Sequence, residues 1–166
     1  MSSEAPVEAA ADGVAVAETH LGRLQLLARA PDAAFIVDEP VRVGGLGTGP
    51  NPYDLLAAAL ASCTALTVRL YAERKGWPLS HVEVAVRHQR ASLKARDAFE
   101  ARVRLEGPLT EEQRARLKEI AERCPVHQSL TRGADVRASV TVGPESAPSV
   151  GESAEHARDM AEACED

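Results

Sequence analysis

One stretch restricts the fold more than any other: residues 49–77, which read G-P-N-P-Y-D-L-L-A-A-A-L-A-S-C-T-A-L-T-V-R-L-Y-A-E-R-K-G-W. The sequence predicts a helix from Pro52, which suits a first helical position, to Lys75, after which Gly76 permits a left-handed exit. Residues 55–66 carry no charge on any face. A helix that is apolar all round is expected to be buried all round.

This helix is not predicted to cross a membrane. Its uncharged segment is shorter than the roughly 20 apolar residues that a span needs, and Asp54 and Arg69 flank that segment. The chain has only one Trp, two Tyr and two Phe to cover such a helix. We therefore expect a second copy of the chain to cover part of it.

Charge and composition divide the chain into three parts. Residues 1–12 are rich in Ala, Ser and acids and are predicted to be a mobile arm, and residues 13–142 form one domain. Residues 143–166 contain seven acidic residues and one arginine, which equals the net charge of −6 of the whole chain. This tail is predicted to be disordered, and the remainder is not basic enough to indicate nucleic-acid binding.

The start of the sequence lacks a basic segment and a hydrophobic core, so we expect no secretory signal. Three widely spaced cysteines do not form a disulfide framework of the secreted kind. A cytoplasmic location is therefore expected.

Hydrophobic periodicity predicts strands and helices in alternation around the central helix. The predicted elements are a hairpin or meander over 14–30 and 33–37, a hairpin over 81–90 and 99–106, a helix from Thr110 to Cys124, and a last strand over 134–142. The strands of each predicted hairpin are expected to pair antiparallel.

Two cysteines on predicted helices, Cys63 and Cys124, are the reactive side chains that the pattern brings together. Each by itself is most simply a small buried hydrophobic residue. If their helices pack together, the sulfurs come within disulfide reach, and such a pair reduces an oxidant through a sulfenic acid and a disulfide. Cys63 lies about 16 Å from its helix start, whereas Cys124 precedes Pro125, a helix-start setting that lowers a thiol pKa. Local physics therefore slightly favours Cys124 as the attacking thiol.

The sequence gives weaker support to the other candidate metal ligands and reactive thiols. His127 follows Cys124 in a C-x-x-H pattern, but no second pair completes a zinc site, so no metal is expected. His127 is interpreted as a polar partner of the thiol or as a helix-end histidine. Cys164, in the acidic tail, is assigned no role.

The motif G-x-N-P-Y-D-L-L-A-A-A-L-A-S-C-T-A-L, followed by Y-A-E-R-K-G-W-P-L and later by R-C-P-V-H, resembles the OsmC/Ohr family of thiol-dependent peroxidases, in its OsmC-like branch. The resemblance covers about residues 20–142. It implies an α+β intertwined homodimer in which antiparallel sheets wrap two long central helices. It also implies that Cys63 is the peroxidatic residue and Cys124 the resolving one.

The implied activity is reduction of organic or fatty-acid hydroperoxides to alcohols. Electrons would come from an external dithiol or lipoyl-type reductant, with no bound cofactor, no nucleic acid and no membrane. In the better-studied branches a Glu lies ten residues before the attacking Cys and pairs with an Arg. Here that position is Tyr53, beside Asp54, and Arg23 and Arg42 are the candidates for the Arg.

Asp54 lies nine residues before Cys63, half a turn away on one helix. If it orients an Arg over Cys63, it must come from the other subunit or the helix must break. Two further functions remain open from sequence: a weakly active or non-catalytic dimer that binds apolar ligands, and an acyl-transfer enzyme that uses Cys63 with His127.

Overall fold

The computed structural model describes residues 13–140, 142–143 and 155–165. Over these residues the strands are β1 Ala15–Glu18, β2 Leu26–Ala30, β3 Ala33–Val37, β4 His81–Gln89 and β5 Ala98–Glu106. The α-helices are α1 Pro52–Arg74, α2 Glu111–Ala121, α3 Pro125–Arg132 and α4 Glu155–Ala163, and a 3₁₀ turn spans Val41–Val43. Both sheets are antiparallel, as the α+β prediction requires.

The chain divides into two compact units, of which the first contains Met1–Pro52 and Val136–Ala154. Its core is the three-stranded meander β1-β2-β3, in which Ala28 pairs with Val16 on one side and Phe35 on the other. The predicted meander is confirmed.

A buried carboxylate organises the glycine-rich loop that follows β3. Asp38 accepts hydrogen bonds from the backbone N–H groups of Glu39, Leu46 and Thr48 and from the Thr48 hydroxyl, at 2.7–3.1 Å. Burial raises the pKa of Asp38, but these hydrogen bonds outweigh it and the net pKa is lowered. The loop closes so tightly that a Cβ at Gly45 would collide with the Glu39 carbonyl oxygen.

The second unit contains Tyr53–Asp135 and Glu155–Asp166 and is built on α1. The helix runs without a break, and it ends as predicted: Gly76 has a φ of 64° and the Trp77 N–H bonds to the Ala72 carbonyl at 2.9 Å. By length and mean hydropathy α1 could cross a membrane. A single helix of this length and hydropathy does not establish a membrane span, because the core helices of globular proteins have the same properties.

The expectation that α1 is buried on every face is wrong for the single chain. Seven residues between Leu60 and Ala72 are buried. A stripe along the same helix is exposed, including Leu56 at 43% and Leu66 at 51%. The elements that the structure describes do not surround the helix, so this stripe is exposed.

The core of the second unit lies where α1, α2 and the β4-β5 hairpin meet. A capping box formed by Thr110 and Gln113 starts α2 at the predicted position, and β4 pairs with β5 over nine residues. The buried members of the core share an apolar character; they are Val68, Tyr71, Ala72, Leu79, Leu109, Leu117, Ile120, Ala121 and Cys164.

The predicted last strand does not form. Residues 133–140 are not assigned to any helix or strand, and Val136 and Val140 are each 89% exposed. The alternating pattern suits a strand, but a strand needs a partner edge for its backbone hydrogen bonds. Residue 141 lies outside the described residues.

The prediction of a disordered tail does not hold for residues 155–165. Most of them form α4, and Cys164, directly after it, is buried in the α1 core with its thiol 3.7 Å from the Thr67 carbonyl. Arg74 also donates to the Ala161 carbonyl at 3.3 Å. Docking of a short apolar stripe stabilises a helix that is too short to persist alone. The predicted mobile arm, residues 1–12, lies outside the described residues.

Candidate active site

The two cysteines singled out from the sequence lie together in the second unit. Cys63 projects from the middle of α1 and Cys124 is the N-cap residue of α3, and their side chains are hydrogen-bonded to each other. Both thiols are free and almost fully buried, with 2% and 0% exposure. They form a cluster with Leu60, walled by Val86, Phe99, Val126 and Leu130.

Cys124 is placed to carry a negative charge. Its sulfur accepts the His127 backbone N–H at 3.3 Å and lies 3.4 Å from the Thr64 hydroxyl oxygen. The hydrogen bond from Cys63, together with these contacts, outweighs burial and lowers the pKa of Cys124 to about 6. The predicted helix-start setting of Cys124 is confirmed.

Cys63 is placed to keep its proton. Its hydrogen bond to Cys124 raises its pKa strongly, and burial raises it further. The Val126 N–H, 3.5 Å from its sulfur, is too weak to reverse this. The N-terminus of α1 is too far away to help, because the dipole effect fades within the first turn.

The two thiols therefore behave as one acid pair. The first proton leaves from Cys124, and the Cys63 S–H then donates to the resulting thiolate. Such a pair presents a nucleophilic sulfur and a second sulfur in contact with it. This is the arrangement in which an oxidised first sulfur is captured as a disulfide.

A cleft between α2 and β5 leads toward the buried pair. It has a volume of about 440 Å³, and its walls are mainly apolar side chains of α1, β5 and α2, among them Leu60, Phe99, Val103 and Leu117. Thr64 and His127 also line this cleft, and both contact the Cys124 sulfur. The cleft therefore places an apolar molecule against two residues that contact the Cys124 sulfur, while neither thiol itself lines the cleft.

A second, smaller pocket of about 160 Å³ shares part of its lining with the cleft. It is lined by Asp97 and Leu130 among others, and Leu60, Phe99 and His127 line both cavities. The histidine thus lines two cavities next to the thiol pair.

The remaining residues predicted for the site are not brought to the thiols within this unit. Arg23 and Arg42 belong to the first unit, where both are exposed. Asp54 is exposed near the start of α1. Because α1 is unbroken, Asp54 cannot reach Cys63 of its own chain.

Tyr53 enters a polar cluster that the sequence did not reveal. Arg90 donates to the Tyr53 hydroxyl at 2.8 Å, and the rings of Tyr53 and His88 stack with centroids 4.3 Å apart. Asp97 binds His88 at 2.7 Å and lies 3.5 Å from Arg90. The sequence signal for this cluster was the two-residue spacing of His88 and Arg90, which places both on the same side of the chain where β4 ends.

Thr64 was also missed, although it follows Cys63 directly on the buried part of α1. Neighbouring residues on a helix rarely act on the same group. The Thr64 hydroxyl lies next to Cys124 only because the start of α3 packs against α1 at this point. Over the described residues there is no group of three His, Cys, Asp or Glu side chains that could hold a metal ion.

The family model for OsmC-like protein matches residues 45–139, which is more than half of the chain. Both cysteines, Thr64 and His127 lie inside the match. No protein with a curated description matches the chain significantly.

Solved structures with the same fold are similar at low identity. One is a putative osmotic stress induced and detoxification response protein from Psychrobacter arcticus, with 24% identity, a TM-score of 0.62, and coverage of 70% of this chain and 85% of that one. An OsmC-like protein from Mycoplasma pneumoniae has 18% identity, a TM-score of 0.61 and coverage of 72% and 86%.

A third structure, of an organic hydroperoxide resistance protein OsmC from Legionella pneumophila, has 21% identity, a TM-score of 0.54 and coverage of 70% and 86%. At these identities the structures show the fold alone. They confirm the α+β fold with antiparallel sheets predicted from the sequence.

Proposed function

The chain belongs to the family of OsmC-like proteins, and from that membership and its paired thiols we propose that it reduces organic hydroperoxides to alcohols through a Cys63-Cys124 disulfide cycle. The observation that carries the proposal is the contact between two buried thiols, one of which, Cys124, has hydrogen-bond partners that lower its pKa. Structural neighbours bear the name organic hydroperoxide resistance protein, which supports a stress-related hydroperoxide function for the family.

The proposed chemistry balances without a metal. A thiolate attacks the outer oxygen of the hydroperoxide, the O–O bond breaks, and the products are a cysteine sulfenic acid and an alkoxide that takes up a proton. The second thiol then displaces the sulfenic hydroxyl as water and closes the disulfide. An external dithiol or lipoyl-type reductant restores both thiols by exchange.

The cleft supports an organic rather than an inorganic peroxide. Its walls are mainly apolar, so an alkyl or acyl chain gains free energy by leaving water there, whereas hydrogen peroxide does not. A fatty-acid hydroperoxide fits this chemistry.

The order of attack is a separate part of the proposal. The family resemblance implies attack by Cys63, with Arg23 or Arg42 as the activating cation. The hydrogen bonds to Cys124 instead support that residue as the first to ionise. Both orders yield the same disulfide. Sulfenic acid trapping with dimedone in Cys63→Ser and Cys124→Ser separates them, because the variant that retains the attacking thiol is labelled.

We propose that the active form is a cytoplasmic homodimer. The exposed apolar stripe of α1, which includes Leu56 and Leu66, supports a second copy as its cover. In that assembly Arg23, Arg42 or Asp54 of one copy would come within reach of Cys63 of the other. No nucleic acid, membrane or bound cofactor enters the proposal.

The test is mass spectrometry of the reduced protein after one equivalent of cumene hydroperoxide. We expect a peptide pair joined by a Cys63-Cys124 disulfide, formed at an unchanged rate in the matched variant Cys164→Ser. If both thiols remain free for alkylation while the peroxide is untouched, the protein is not a hydroperoxide reductase of this kind.

A second candidate is a weakly active dimer that binds apolar ligands in the cleft. The observation in its favour is Tyr53, which occupies the position of the family Glu and engages Arg90. This candidate predicts that wild type consumes peroxide no faster than Cys63→Ser.

A further inference from the structure

His127 occupies an unusual place beside the thiol pair. Its side chain is half-buried, and it lines both the α2-β5 cleft and the smaller pocket. Its backbone N–H binds the Cys124 sulfur. Among the described residues, none forms a hydrogen bond or ion pair with its imidazole, so the ring is not committed to a structural contact.

Charged side chains from two parts of the chain line the cavities next to His127. On the cleft side, Glu122, Lys118 and Arg114 line the wall from the α2 region. On the pocket side, Asp97 and Arg96 line the wall near the start of β5. A coulombic interaction with His127 is also one of the causes that lower the pKa of Cys124. Because His127 lines the cleft and its backbone N–H contacts the Cys124 sulfur, its side chain is placed to act on a molecule bound in the cleft.

The proposed reaction requires a proton at this place. When the O–O bond of an alkyl hydroperoxide breaks, the leaving alkoxide is a strong base, and an apolar cleft offers it little water. A charged group in such an environment is costly unless it is neutralised. A proton donor within reach of the leaving oxygen lowers this barrier, and general acids of this kind typically contribute 10²–10⁴-fold.

We propose that the His127 imidazolium is the general acid that protonates the leaving alkoxide. The inference rests on the proposed function. The thiolate sulfur bonds to the outer oxygen, the O–O bond breaks, and the inner oxygen takes the proton from the His127 ring and leaves as the alcohol. The neutral imidazole regains its proton when the next reduced thiol ionises. His127 is thus a catalytic residue for the reaction, distinct from its backbone contact to Cys124.

The variant His127→Gln isolates the ring, because the backbone N–H to Cys124 is retained. The assay compares kcat/KM for cumene hydroperoxide with that for peroxybenzoic acid. The carboxylate that leaves from the peroxy acid is a weak base and needs no proton. We expect a loss of about 100-fold for cumene hydroperoxide and no more than a few-fold for the peroxy acid. The matched control is His81→Gln, an exposed histidine at the start of β4, which should match wild type with both substrates.

The two substrates separate the loss of a general acid from damage to the thiol pair. Partial unfolding, or a rise in the pKa of Cys124, lowers both rates by the same factor. Equal losses with the two substrates, or no loss with either, overturn the role of His127 while leaving the disulfide cycle intact. If wild type itself fails to consume cumene hydroperoxide, the proposed function and this inference fail together.

Discussion

The hydroxyl of Thr64 is a direct test of how the fold stabilises a thiolate at Cys124. Its oxygen lies 3.4 Å from the Cys124 sulfur, and both side chains are buried. Replacement of Thr64 with Val retains the shape of the side chain and removes the donor. A hydrogen bond to a charged group contributes roughly 1.5–3 kcal/mol, and one pKa unit corresponds to about 1.4 kcal/mol.

The pKa of Cys124, about 6 in the wild type, is therefore expected to rise by about one to two units in Thr64→Val. At pH 7 the thiolate fraction falls from about nine-tenths to between about one half and one tenth. The rate of alkylation of Cys124 by iodoacetamide, followed by peptide mass spectrometry across pH, measures the shift. Peroxide consumption at pH 7 should fall by roughly two- to tenfold.

Thr67→Val is the matched control. Thr67 is fully buried on the same helix, but its hydroxyl donates to the backbone carbonyl of Cys63 at 2.8 Å. We expect the Cys124 titration to move by less than about half a unit in this variant. An unchanged Cys124 titration in Thr64→Val, or an equal shift in both variants, refutes the role of the Thr64 hydroxyl.

Two further predictions concern stability. Folding lowers the pKa of Cys124 from 9.0 to about 6. Between these pH values the unfolded chain binds more protons than the folded chain, so the contribution of Cys124 to the free energy of unfolding grows as the pH rises from 6 to 9 and is lost below pH 6. The free energy of unfolding measured in urea should therefore increase more between pH 6 and pH 9 for the wild type than for Cys124→Ser. An equal pH dependence of the two free energies would exclude a lowered pKa of Cys124. Cys164→Asp places a charge in the α1 core, and it should lower the urea midpoint and release α4, with faster amide hydrogen exchange over residues 155–165. Unchanged exchange in that segment would show that Cys164 does not hold α4 in place.

Local chemistry explains why much of the second unit was predictable. Pro52 and Gly76 mark the ends of α1, the Thr110 capping box starts α2, and Pro125 makes Cys124 an N-cap residue. Each of these signals acts within about four residues. Strand alternation in β4 and β5 is equally local. The placement of Cys63 in the middle of α1 and of Cys124 at the start of α3 followed from these boundaries.

The wrong predictions concern partners that are distant in sequence. The alternating residues after Gly133 suit a strand, but local alternation does not supply a partner edge, and none is paired with them in the described part of the chain. Cys164 was assigned no role because its sequence neighbours are acidic. It is buried because α4 meets the surface of α1 at Thr67, a contact nearly a hundred residues apart.

The sequence by itself determined the family, the α+β class and the identity of the two thiols, because motifs and caps depend on residue types at short spacing. The tertiary structure decided which thiol has the donors that favour ionisation. Thr64 and the N-terminus of α3 meet at Cys124, while Cys63 lies a long way from its own helix start. A thiol pKa depends on the groups that surround the sulfur in space. Only the packing of α1 against α3 brings those groups together.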